Sequence, residues 1–363
     1  MTAGPGPTDR VYVIAEAGVN HNGDMTLARA LIDAAAAAGA DAVKFQTFKA
    51  ERLVSETAPK AAYQKAATPT GETQFAMLKR LELSPESHHG LVEHCEKQRI
   101  DFLSSPFDLE SLRFLLEDLR LETIKIPSGE ITNGPLLLAA GRSGRRIILS
   151  TGMSTLDEIE EALGVLAFGF SGSGSDPSRQ AFRSALATPA GKVALRDRVI
   201  LLHCTSEYPA PLGDINLRAM ETMRRTFDLP IGLSDHTEGI LADIAATALG
   251  AAVIEKHFTM DRTLPGPDHR ASLEPGELAD MVAAVRSVGQ ALGDGVKVPA
   301  PSEGANREIV RKSLIATRPI GTGEPFTEEN LGARRPGGGA SPMEYWARLG
   351  RRATRDLAAG EQV

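Results

Sequence analysis

Short runs rich in β-branched and other apolar residues alternate along the chain with longer Ala- and Leu-rich stretches. Eight such runs occur, at 11–18, 41–48, 101–107, 123–129, 146–152, 199–206, 230–236 and 252–258. The stretches between them carry helix formers at helical spacing, for example TLARALIDAAAAAGA after the first run and GILADIAATALGA after the seventh. Apolar strands alternating with helices imply parallel βαβ units. Eight such units predict a closed (β/α)8 TIM barrel followed by whatever the tail forms. An open doubly wound sheet is the alternative, but no GxGxxG follows the first run, which argues against its dinucleotide-binding version.

Two connections exceed ordinary barrel loops. Segment 49–80 follows the second strand on the C-terminal side of the sheet and is expected to cover a site there. Segment 169–198, with the Gly/Ser-rich GFSGSGSDPS, enters the sixth strand from the other side and reads as a surface insertion without a chemical role. The pattern divides the chain into a barrel at 1–292, a Pro/Gly-containing linker at 293–311 and a small β-rich module at 312–363. The module is small for an independent core and is expected to dock on something larger.

Composition narrows the function. Of 363 residues, 42 % are hydrophobic and 24 % charged, as in an ordinary soluble globular protein. A net charge of −7 supplies no basic field for nucleic acid. No apolar run reaches the roughly 18–20 residues of a membrane helix, and the N-terminus lacks the apolar stretch of a signal peptide. The two cysteines, Cys95 and Cys204, make no disulfide framework, so a cytoplasmic location is expected.

In a TIM barrel the strand C-termini surround the active site, and here all eight end in polar residues: Glu16, the pair Lys44 and Gln46, Ser105, KIPSGE with Lys125, Ser128 and Glu130, Ser150, HCTSEYP with Tyr208, Ser234 with His236, and Glu255 with His257. Packing alone predicts one or two such ends. Of the eight histidines, His88, His89 and His94 fall in a helical stretch and are expected to face solvent, whereas His21, His203, His236, His257 and His269 sit at or beyond strand ends. Neighbouring strands lie about 4.8 Å apart, so His236 and His257 can share one cation. Two imidazoles without thiolates favour an open divalent site such as Mn²⁺ over a closed structural zinc. Lys44 and Lys125 point inward and can act as Schiff-base nucleophiles or anion clamps. With Ser105, Ser128, Ser150 and Ser234 beside them, a phosphate and a carboxylate suit the set better than an imine. Cys204 reads as a small buried hydrophobe, and Lys256, of opposite parity to its neighbours, should face the helices.

The motifs AEAGVNHNGD, AVKFQTFKAERLV, KIPSGEI, ILSTGMST, LLHCTSEYPAP, GLSDHTEGI and IEKHFTMDRTLPGPDHRAS resemble those of the bacterial sialic acid synthases. The tail RKSLIATRPIGTGEPFTEENLGARRPGGGASPMEYW resembles their SAF, antifreeze-like β-clip domain. The match runs from about residue 10 to the end. The resemblance implies condensation of phosphoenolpyruvate with N-acetylmannosamine to N-acetylneuraminate and phosphate. The related N,N'-diacetyllegionaminate reaction, on a 2,4-diacetamido-2,4,6-trideoxymannose, is the first alternative; a Schiff-base pyruvate aldolase and a non-enzymatic sugar-binding protein are remoter ones. It further implies Mn²⁺ on His236 and His257, with Mg²⁺ or another divalent cation able to substitute, and catalytic roles for Glu16, Lys125 and His257. Lys44, Ser105, Lys125, Ser128, Ser150 and Ser234 would hold phosphoenolpyruvate. Gln46, Glu130, Tyr208, Asp268 and, from a swapped partner subunit, Arg335 would hold the sugar. A domain-swapped homodimer, with no nucleic acid and no membrane, follows from the same resemblance.

Overall fold

The computed structural model describes residues 10–61, 64, 71–172 and 174–363. The chain forms two compact units, 1–293 and 294–363. In the first, eight parallel strands follow the expected runs: β1 (Tyr12–Gly18), β2 (Ala42–Thr47), β3 (Asp101–Pro106), β4 (Thr123–Ile126), β5 (Arg146–Ser150), β6 (Val199–Cys204), β7 (Ile231–Asp235) and β8 (Val253–His257). Their order is β3-β2-β1-β8-β7-β6-β5-β4, and β3 lies beside β4 to close the ring of a TIM barrel.

Alternation along each strand sorts the side chains into two environments. Outward residues such as Val13, Val43, Ile124, Ile147, Leu201 and Leu233 pack under the helices in the main core. Inward, Tyr12, Ile14, Ala42, Leu103, Ile148, Leu202 and Val253 form a separate apolar plug in the lower barrel. One step further along the same face the plug gives way to Glu16, Lys44, Ser105, Ser150, Cys204 and Glu255, all buried. The change from apolar to polar inside the barrel therefore marks the floor of a site.

Segment 169–198 is not a bare loop. It folds into helices Arg179–Ala187 and Pro189–Arg198, started by Ser178 and Thr188, whose hydroxyls accept from Ala181 N and Gly191 N. Phe182 packs edge-on against Phe168, ring centroids 5.3 Å apart, so the insertion thickens the outer helical layer. In segment 49–80 the described part holds the short helix Ala50–Leu53 and the helix Gln74–Leu81; residues 62–63 and 65–70 lie outside the described residues, as does part of the covering role expected of this loop.

The second unit begins where the linker was expected, and residues 304–310 of that segment form a helix within it. Its antiparallel pair, β9 (Ser313–Ala316) and β10 (Leu331–Arg334), surrounds a small core of Leu314, Ala316, Ile320, Phe326, Leu331, Ala353 and Leu357. Gly337 donates its backbone N–H to Glu308 O at 2.8 Å, tying the Gly/Pro-rich turn after β10 to that helix.

Candidate active site

The barrel floor carries an alternating set of buried charges. Lys44 Nζ lies 2.7 Å from Glu16 Oε2 and 3.7 Å from Glu255 Oε2, and Lys125 Nζ lies 3.4 Å from Glu255 Oε1. Lys44 donates to Ser105 Oγ at 3.1 Å, and Ser234 donates to Glu255 Oε1 at 2.8 Å. Burial disfavours charge on every member, and the outcome differs by partner. Glu255 is pushed up by burial but pulled down further by Lys125, Lys44 and Ser234, and settles at about 2. Glu16 is raised by burial to about 7 against the pull of Lys44. Burial lowers Lys125, whereas Lys44 is carried above its ordinary value by Glu16 and Glu255 despite burial. Two ammonium groups held by carboxylates inside a barrel are groups for which an anionic ligand could replace those partners.

Beside them runs a ring of hydroxyls. Gly152 N–H donates to Ser128 Oγ at 3.0 Å. A Cβ on Gly152 would collide with Ser206 Oγ and lie 2.8 Å from Ser128 Oγ, so only glycine fits where these side chains converge. The buried Ser150 Oγ has no hydrogen-bond partner among the described residues, an unspent group pointing to a bound ligand.

At the mouth, His236 and His257 lie with ring centroids 5.4 Å apart, and Tyr208 stacks on His236 at 4.2 Å. His236 Nδ1 is 2.7 Å from Thr205 O. A carbonyl only accepts, so Nδ1 carries a proton and Nε2 is the nitrogen turned to any cation. His257 Nδ1 is buried and has no hydrogen-bond partner, and burial holds this imidazole well below its ordinary pKa, hence neutral. Asp268 Oδ2 stands 4.0 Å from His257 Nδ1, its carboxyl raised by burial to about 6. Burial lowers His236 too, but Cys204 and the Thr205 carbonyl carry it above its ordinary value, so a cation on this pair would have to displace its proton; two imidazoles side by side otherwise suit a divalent cation. Among the described residues no group of three or more His, Cys, Asp or Glu is arranged to hold a metal ion. The fit is therefore to an open site whose other ligands are oxygens of water or substrate. Gly18, at φ +54°, joins the two halves: a Cβ there would sit 3.3 Å from Glu16 Oε1, 3.4 Å from Gln46 Nε2 and 3.4 Å from His257 Cε1.

The structure thus brings together Glu16, Lys44, Gln46, Ser105, Lys125, Ser128, Ser150, Tyr208, Ser234, His236, His257 and Asp268. Glu130 is half-buried next to the Ser128 turn and accepts from Asn133 Nδ2 at 2.6 Å. Arg335 is exposed in the second unit, just after β10. Three of the five strand-end histidines are otherwise engaged: His203 bonds Ile215 O at 2.6 Å, His21 accepts from Gly23 N at 3.0 Å, and His269 meets Thr259 Oγ1 at 2.7 Å. His88, expected in solvent, is buried between Thr47 Oγ1 and Ser84 O at 2.8 and 2.9 Å. Its helix turns it onto the face of Leu91 and Cys95, toward β2 and β3.

Three groups near the chemistry were given no chemical role from sequence. Glu255 has the right parity, but only the fold shows that two lysines meet it. Ser206 lies in a loop without periodicity. Cys204 is buried as expected, yet its Sγ is 3.7 Å from His236 Nδ1. Burial raises this thiol, but His236, Ser128 and Lys125 outweigh it and draw it down to about 7.

Residues 31–297 match the NeuB family and residues 311–363 the SAF domain. The chain is 48 % identical to the N,N'-diacetyllegionaminic acid synthase of Campylobacter jejuni, covering 98 % of this chain and 99 % of that protein. It is 45 % identical to the N,N'-diacetyllegionaminic acid synthase of Legionella pneumophila, covering 96 % of this chain and 92 % of that protein. A solved structure, the N-acetylneuraminic acid (sialic acid) synthetase of Leptospira borgpetersenii, superposes with a TM-score of 0.67 at 35 % identity, covering 84 % of this chain and 94 % of that one.

Proposed function

This chain belongs to the NeuB family, and on that premise we propose that it condenses phosphoenolpyruvate with 2,4-diacetamido-2,4,6-trideoxymannose, giving N,N'-diacetyllegionaminate and phosphate. The family-level activity, synthesis of a nonulosonic acid, rests on the whole-chain similarity. The acceptor departs from the first expectation, N-acetylmannosamine. The diacetamido sugar takes precedence because two relatives, 48 % and 45 % identical to this chain, carry the legionaminic acid name.

The observation that carries the chemistry is the pair of buried ammonium groups, Lys44 and Lys125, lying between two carboxylates and next to two adjacent imidazoles. Lys125, Ser128 and Ser150 take the phosphate; Lys44, Ser105 and Ser234 take the carboxylate. His236 and His257 would hold a divalent cation such as Mn²⁺, which when bound would supply Lewis acidity toward the sugar aldehyde. Gln46, Glu130, Tyr208 and Asp268 orient the sugar so that its C1 faces C3 of phosphoenolpyruvate. The new C–C bond takes its electron pair from the enol double bond, and the aldehyde oxygen takes a proton from Glu16. Water adds to the cationic C2 and returns one proton to Glu16; the C2–O bond then breaks, C2 becomes a ketone, and the hydroxyl's remaining proton leaves with phosphate. Glu16, near pH 7 in its titration, can both give and take a proton. The tail's part, Arg335 reaching an N-acyl carbonyl in a partner subunit of a swapped homodimer, belongs to the same proposal. So does a cytoplasmic setting, where phosphoenolpyruvate is made.

The test is turnover with phosphoenolpyruvate and each acceptor in turn, read as phosphate and keto acid formed. A site built around a second acetamido group should favour the diacetamido sugar by about tenfold or more in kcat/KM. Equal or better turnover of N-acetylmannosamine overturns the assignment.

A further inference from the structure

Lys256 stands between Glu255 and His257 on β8 but faces the other way, into the layer between strands and helices, where it is fully buried. Its Nζ donates to Asp235 Oδ2 at 2.5 Å and to Thr237 O at 2.6 Å, the two residues that flank His236. Asp235 closes the same turn on itself, accepting from Thr237 N and from Thr237 Oγ1, each at 2.9 Å. From the barrel side the turn is pinned by Ala210 N–H donating to His236 O at 2.8 Å. The β7 end that carries His236 is thus tied, through one side chain, to the residue preceding His257.

We infer that Lys256 is a positioning residue that fixes the gap between the two imidazoles, so that β7 and β8 present His236 and His257 as one preformed pair. The inference rests on the reading that these histidines hold a divalent cation. A buried ion pair is a weak choice for stability alone, since apolar residues of similar volume often serve as well or better. What the ammonium adds is direction. Two of its three N–H groups end on the turn around His236, and the next acidic group, Asp243, has Oδ2 3.8 Å away and a carboxyl that burial and Asp235 raise well above its ordinary pKa. Outer groups that hold metal ligands in place commonly affect metal affinity about 10- to 100-fold.

The experiment uses the full chain, depleted of metal and titrated with Co²⁺ while its visible absorption is recorded, together with thermal melts and inorganic phosphate binding. Wild type, Lys256→Met, Asp235→Asn and His257→Ala are compared. Lys256→Met should bind Co²⁺ about 10- to 100-fold more weakly and with a shifted visible band, while phosphate affinity stays within about twofold because the lysine cluster lies on the opposite face of β8. A role in stability alone would lower the melting temperature and leave the Co²⁺ spectrum and affinity unchanged, which overturns the inference. Should Lys256→Met fail to fold, Asp235→Asn, of the same shape, decides on the same two readouts, and wild-type behaviour there is equally fatal. Failure of the metal reading looks different: wild type and His257→Ala would then be indistinguishable toward Co²⁺.

Discussion

Replacing Glu255 by Gln removes the one carboxylate that touches both buried lysines, at 3.7 and 3.4 Å, and leaves the shape unchanged. The magnitude follows from the titration shift. The carboxyl falls from 4.5 to about 2 in the folded protein, which corresponds to about 3 kcal/mol. Removing one partner from a buried ion pair gives the same scale, roughly 3–5 kcal/mol. Because the folded value lies below the unfolded one, this stabilisation is complete above about pH 4.5 and is lost as pH falls toward 2. Thermal melts at pH 7 should therefore show Glu255→Gln lower by roughly 5–8 °C, with the difference shrinking at pH 3. Inorganic phosphate supplies the counter-charge that the variant lacks. Saturation at about 100 times its dissociation constant is worth about 2.7 kcal/mol, and the variant should regain more melting temperature from it than wild type does. A variant that melts within about 2 °C of wild type at pH 7, or that gains no more from phosphate, would refute the view that Glu255 stands in for the substrate's negative charge.

Burial holds His21 at about 4 against an ordinary 6.5, so stability is complete above about pH 6.5 and falls by about 3 kcal/mol as pH drops toward 4; melts across this range should be flatter for His21→Gln, and identical slopes would contradict the assignment. Exhaustive chelation should abolish phosphate release and Mn²⁺ should restore it, whereas full turnover in a preparation shown to be metal-free would exclude the proposed role of His236 and His257. Arg335→Ala should raise the sugar KM or lower its kcat/KM by roughly ten- to a hundredfold with little change in the KM for phosphoenolpyruvate. Mixing Arg335→Ala with Lys44→Ala should restore some activity, and no recovery under conditions of demonstrated subunit exchange would rule out a shared tail.

The barrel was legible because parallel strands covered on both faces are continuous apolar runs, and each of the eight observed strands lies within one of them. Parity placed Glu16, Lys44, Glu255 and His257 inward, and Lys256 outward, before any contact was known. What a sequence does not carry is which inward groups meet across the ring: Lys44 and Lys125 are 81 positions apart and share Glu255 only because the ring closes. The burial of His88 and the helices inside segment 169–198 both had signals in the sequence. His88 shares a helical face with Leu91 and Cys95, three and seven residues on, which marks it as buried. Segment 169–198 contains Ser178 and Thr188, the latter followed by Pro189, which are ordinary helix starts.

Three consecutive side chains on β8 belong to two separate compartments of the protein. Glu255 and His257 answer to whatever enters the barrel mouth, while Lys256 answers only to Asp235, Thr237 and Asp243 under the helices. Mutational drift among the outer helices can therefore retune the histidine pair without altering a single group that a substrate touches. If the histidine pair holds a cation as proposed, two homologues with identical mouth residues need not share a metal preference, and a search for altered metal use is best directed at the residues packed around Asp243 rather than at the rim.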